Sequence, residues 1–138
     1  MAQDFKSLNK DFNKQLKRFI KNSDKKGTKA IRGVGLKALS LLVYKSPVDE
    51  GVFRANWNAG INKLDESYNL EYTNAQGAKS KGEGRIGSVD SGDEINLSNA
   101  LPYAMRLEYG YSSQAPEGMV RTTLTELTFW LKAQNKKL

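Results

Sequence analysis

The 138-residue sequence has no histidine and no cysteine, and only three prolines and two tryptophans. Without cysteine there are no disulfides and no thiolate chemistry. Without histidine the chain lacks the commonest metal ligand and the side chain that titrates nearest neutral pH. No stretch approaches the roughly 20 consecutive apolar residues of a membrane span, and MAQDFKSLNKDF at the start lacks the apolar core of a signal peptide. These absences predict a soluble protein made in a cytoplasm, without membrane contact, and the length fits one domain.

Negative charge is scarce in the first third. Residues 1–45 hold twelve Lys/Arg against Asp4, Asp11 and Asp24, whereas the remainder holds ten against twelve acidic residues. Such a segment is either a solvated helix face or a field that steers nucleic acid or an acidic protein toward the chain.

Phe5, Leu8, Phe12, Leu16 and Phe19 recur every three or four residues among lysines, so residues 3–22 read as an amphipathic helix. A second helix follows from about Thr28 to Lys45, weakened by Gly33 and Gly35 and ended by Pro47. The period then becomes two. Phe53, Ala55, Trp57, Ala59 and Ile61 predict a strand with one buried face, and Tyr68, Leu70 and Tyr72 a second strand, with INKLDES between them as a hairpin connection. Residues 74–93 contain five glycines and few apolar side chains, which predicts a long mobile loop, interrupted at most by a short strand over Arg85 to Val89. A short strand is expected over Glu94 to Leu97. Asn99 is expected to cap a two-turn helix with Pro102 in its first turn and Gly110 past its end. Pro116 and Glu117 open the last helix, which carries Val120, Leu124, Leu127 and Leu131 on one face. The expected fold is a single α+β domain: a basic helical part over 1–45, strands and the glycine-rich loop over 46–99, and helices over 100–138. An antiparallel sheet packs against the N-terminal and C-terminal helices.

Catalysis would need a nucleophile with a base, paired carboxylates or a metal cluster. The adjacent acids Asp49-Glu50, Asp65-Glu66 and Asp93-Glu94 sit beside turns, where solvated acidic residues are ordinary, and neighbours in sequence diverge in direction. KGEGRIG has neither the GxxxxGK[ST] pattern nor a strand leading into a helix. The expectation is a non-enzyme with no catalytic, cofactor-binding or metal-binding residues. Nucleic-acid contact is the stronger rival, through the basic face of the first helix with Lys79, Lys81 and Arg85 of the loop as a second contact. The phenylalanines lie at core spacing, so any DNA contact would be with the backbone alone.

Three blocks carry a family resemblance. SPVDEGVFRANW (46–57) resembles the S-P-V-D-T-G-x-x-R-x-x-W block of tail-completion proteins of long-tailed bacteriophages, also called neck or head-tail joining proteins. Asn99 with LPYAMRLEYG (101–110) resembles that family's N-x-x-P-Y-A-x-R-L-E-Y-G block, and APEGMVR (115–121) its closing A-P-x-G-M-V-R. Glu50 stands where threonine is common. The first helix and the glycine-rich loop carry no motif.

The resemblance implies a structural α+β protein of a phage or prophage virion, assembled in the host bacterial cytoplasm. It implies a ring, usually of six subunits and in some members monomeric until docking, that joins the tail tube protein to the head connector or head-closure protein and lets DNA pass. A head-closure or minor tail component of the same neck, or a small basic DNA-binding domain, are the alternatives. The motif residues singled out for interface or structural roles are Pro47, Asp49, Gly51, Arg54, Trp57, Pro102, Tyr103, Arg106, Glu108, Tyr109, Gly110, Pro116, Gly118 and Arg121. Arg54 could reach a neighbouring subunit or hold an internal carboxylate. Either Arg106 or Arg121 could pair with Glu108 inside the domain, with Tyr109 in the core, or the same groups could face another subunit. Residues 74–93 are expected to be disordered in the free subunit and to order against a partner on assembly.

Overall fold

A computed structural model describes residues 5–22, 27–48, 51–110, 112–115 and 117–137. Among them it contains helices α1 (Phe5–Asn22), α2 (Gly27–Lys45), α3 (Ala75–Gly87), α4 (Ala104–Glu108) and α5 (Val120–Asn135), and strands β1 (Asn58–Ile61) and β2 (Ile95–Ser98). The chain is an α+β domain, and its antiparallel sheet is a single pair in which Asn58 faces Ser98 and Ile61 faces Ile95. No helix among the described residues is long and apolar enough to cross a membrane.

Helix α2 is the spine. Its C-terminal half supplies Leu39, Leu42 and Val43 to a core that includes Phe53, Trp57, Ile86, Leu101 and Met119. Its N-terminal half supplies Ala30 and Val34 to a second cluster with Phe19 of α1 and Leu131 of α5. Helices α1 and α5 run side by side in the same direction, with Phe5 near Arg121 and Gln15 bonded to Asn135. The apolar spacing of α1 thus buries Leu8 and Phe19 against α5 and leaves its lysines exposed.

Three expectations fail, each for a physical reason. Residues 53–57 are not strand: Arg54–Asn56 form a 3-10 turn, with Asn56 N donating to Phe53 O at 3.1 Å. Phe53 and Trp57 are both buried, and a spacing of four satisfies a helical turn as well as an alternating strand. Only 58–61 continue as strand. Residues 68–72 have no ladder, because β1 pairs with β2 instead, and Tyr68, Leu70 and Tyr72 are about half exposed.

The third correction is the largest. Residues 75–87 form helix α3 where a structureless loop is expected, so Lys79, Lys81 and Arg85 are helical, and the expected strand at Arg85 to Val89 is the end of this helix. Asn74 caps it, its Oδ1 accepting from Gly77 N at 2.9 Å, and Ser88 Oγ closes it by donating to Arg85 O at 2.7 Å. Ile86 is fully buried, and a Cβ on Gly82 would stand 2.6 Å from Leu39 Cδ2. Gly82 therefore lets α3 lie close on α2, which composition alone cannot distinguish from a glycine kept for flexibility.

Two boundaries also move. Asn99 does not cap α4, which begins at Ala104 after Tyr103; it donates instead to Phe53 O and accepts from Leu101 N. The last helix begins at Val120, after a turn that contains Gly118 at φ +82.

If α3 is folded as described, Ile86→Ala destabilises the protein by about 2–5 kcal/mol, while Gly84→Ala, at an exposed helical position with open space around it, stabilises it by about 0.5–1 kcal/mol. Denaturant titration of both variants measures this. Two neutral variants would mean that the segment contributes no folded structure.

Candidate functional site

The residues of the three sequence blocks meet in one connected region. In the first, Ser46 Oγ donates to Leu42 O at 2.6 Å and accepts from Trp57 Nε1 at 2.7 Å. Arg54 binds backbone carbonyls of its own chain. Its Nε donates to Ser46 O at 2.9 Å and its Nη2 to Tyr44 O at 2.8 Å, which satisfies carbonyls left open at the end of α2. Pro47 is buried beside this turn, and Gly51 has φ +83, with its missing Cβ position 2.8 Å from Thr73 O. Side chains are excluded there by conformation and by space. Asp49 and Pro116 lie outside the described residues.

The first block is tied to the other two. Asn99 Nδ2 donates to Phe53 O at 2.9 Å, and the Phe53 ring contacts both Trp57 and Tyr103 at centroid separations of 5.8 and 6.1 Å. Val48 N donates to Gln114 Oε1 at 2.8 Å. Pro102 is exposed in the turn that leads into α4.

Glu108 forms the centre of the second and third blocks. Its buried carboxylate accepts from Met119 N at 2.9 Å and Val120 N at 2.7 Å through Oε1, and from Arg121 N at 3.1 Å and Arg121 Nε at 3.0 Å through Oε2. Arg121 Nη2 donates back to the Glu108 carbonyl. No side chain next to α5 caps its first turn, so Glu108 does so from eleven residues away and places negative charge where the helix dipole favours it. A Cβ on Gly118 would collide with Glu108, and Gly110, at φ +93, turns the chain out of α4. The partner of Glu108 is therefore Arg121.

Tyr109 is exposed, not in the core. Its ring stands 5.1 Å from the Arg121 guanidinium carbon and edge-on to Phe5 of α1 at 6.3 Å. Arg106 is exposed on α4.

Lys79, Lys81 and Arg85 lie on α3, which packs beside the first block, and Lys81 and Arg85 share a cleft with Ala55 and Trp57. Arg85 Nη1 donates to Asp65 Oδ2 at 2.8 Å and to Ala59 O at 3.0 Å. Asp65 belongs to an arm, residues 62–74, held by side-chain amides. Asn56 bonds both the N–H and the carbonyl of Asn69, and Asn58 Nδ2 donates to Ser67 O at 2.8 Å. Hydrogen bonds from Ser67 and Arg85 lower the Asp65 carboxyl from its ordinary value of 3.8 to about 2. The roles of Asn56, Asn58 and Asp65 are not evident from the sequence motifs. Their one signal is asparagine at alternate positions of an apolar stretch, where strands disfavour it.

Chemically, this arrangement holds shape. The carboxylate, guanidinium and amides brought together are consumed by backbone groups, and no cluster of acidic residues suited to a metal occurs among the described residues. No protein-family model, curated protein or solved structure matches the chain.

Two outcomes follow. Glu108→Ala leaves Arg121 without its carboxylate and the amides of Met119, Val120 and Arg121 unmet, and costs roughly 3–5 kcal/mol in denaturant titration; Glu108→Gln, which keeps one acceptor oxygen, costs less. Because the folded-state pKa of Asp65 lies below its ordinary value, its contribution is fully present above about pH 4 and is lost as pH falls through 2. Asp65→Asn is thus less stable than the parent at pH 6, and the difference closes on acidification toward pH 2. A gap that stays constant would deny the Asp65–Arg85 contact this role.

Proposed function

We propose that the chain is a structural subunit of a bacteriophage or prophage neck. It forms a ring at the head-proximal end of the tail, joins the tail tube to the head connector, lets DNA pass and has no catalytic role. One observation carries this reading. The three blocks that resemble tail-completion proteins, the first more than forty residues before the other two, converge on two linked knots, around Ser46 and Glu108, whose polar groups are spent on fixing backbone. Residues used in that way support a rigid building block better than a reaction centre.

The basic face favours a second reading as a DNA-binding domain. Lys10, Lys14, Lys17, Arg18 and Lys21 of α1 all remain exposed, as do Lys132, Lys136 and Lys137 at the end of the adjoining α5. The two readings separate experimentally. Deleting the gene from a phage or prophage that carries it should leave filled heads and complete tails unjoined in electron micrographs, with joining restored by the gene in trans. Normal particles from the deletion would overturn the neck reading. Steeply salt-dependent duplex binding at micromolar protein would favour the DNA-binding domain instead.

A further inference from the structure

Ten large apolar side chains are exposed among the described residues, and four of them, Leu64, Tyr68, Leu70 and Tyr72, fall within nine residues of the arm. The arm has no strand partner, yet its backbone is fixed through Asn56, Asn58 and the Asp65–Arg85 pair. A segment clamped at the backbone with apolar side chains turned outward is ordered before any partner arrives, so docking costs it little further chain entropy. Exposed apolar patches mark interaction sites, and tyrosine is enriched in them.

A second uncovered surface lies on α2. This helix carries apolar residues all round, a pattern that suits a helix covered on every side. Its outer face is not covered among the described residues: Tyr44 is 76% exposed and Leu36 36%. With Leu41 and Lys37, and with Lys79 and Glu83 of α3, these residues line a groove of about 450 Å³. Helix α3 separates the two surfaces, presenting Ala78, Lys81 and Arg85 to the cleft beside the arm and Lys79 and Glu83 to the groove. The arm therefore lies across α3 from the groove of its own chain. Charge is complementary as well: with Asp65 paired to Arg85, the arm sets Glu66 and Glu71 against Lys63, and the groove sets Lys37 and Lys79 against Glu83.

The geometry points to a head-to-tail contact between copies of this chain, in which the arm of one copy seats Tyr68, Leu70 and Tyr72 in the α2–α3 groove of the next. Glu66 and Glu71 then approach Lys37 and Lys79. The contact rests on the ring reading above and gives it an interface. Its two faces differ, so it can repeat from copy to copy, as a ring requires, instead of stopping at a symmetric dimer.

The test uses two full-length variants, Leu70→Asp on the arm and Tyr44→Asp in the groove, both at exposed positions, with circular dichroism to confirm folding. Native mass spectrometry and light scattering then follow assembly. The parent should form oligomers, and each variant alone should weaken self-association at least about tenfold. A 1:1 mixture should form a heterodimer and nothing larger, because each variant keeps the face that the other has lost. Variants that assemble like the parent would overturn this interface while leaving the ring reading intact. A mixture that stays monomeric would overturn the pairing of arm with groove. A parent that stays monomeric at millimolar concentration overturns the contact itself; the neck reading is then decided by the gene deletion.

Discussion

The carboxylate of Glu108 fixes where α5 begins, and the rest of the helical layer depends on that. Four donors converge on its two oxygens, three of them backbone amides at the start of α5. Helix α5 then provides the surface on which α1 lies, from Phe5 beside Arg121 to Gln15 beside Asn135. A buried carboxylate is tolerable because a guanidinium and a helix N-terminus neutralise it together. The same contact explains the glycines around it. Gly118 cannot carry a side chain without striking Glu108, and Gly110 must turn the chain away from α4.

The second knot follows the same logic without a carboxylate. Arg54 and Ser46 satisfy carbonyls at the end of α2, Trp57 anchors Ser46, and Asn99 ties the turn to the segment before α4. Asparagine amides extend the scheme to the arm, where they replace a missing strand by offering a donor and an acceptor to its backbone. In the proposed neck subunit such fixtures hold an interface in one shape before assembly. That suits a component whose role is to be gripped from two sides.

What could be read in the sequence depended on how many residues share one signal. Helices α1 and α2 were legible nearly to their ends, because many apolar positions repeat the same period and Pro47 follows. Strand β2 was legible from four residues. Helix α3 was not, because Gly77, Gly82, Gly84 and Gly87 hide a helix whose apolar contact comes down to Ile86 and the close approach at Gly82. The turn at Arg54–Asn56 was misread because buried residues four apart fit both periods. Pairing of Glu108 with Arg121 was one of the alternatives left open, beside Arg106 and a contact with another subunit, and the remote capping of α5 was out of reach of local patterns, since capping rules look to the residues beside a helix.

Pairing between the first and last helices has a consequence for how the chain matures. Gln15 and Asn135 are separated by 120 residues, so the part of the α1 stripe that faces α5 is covered only after almost the whole chain has been synthesised. Until then α1 has only α2 beside it, where Ala30 and Val34 shield part of Phe19, and the side of its stripe that meets α5 stays open. The lysines on its other face keep that waiting segment hydrated and mutually repelling in neighbouring nascent chains. The basic stripe thus opposes premature association of a helix that closes late.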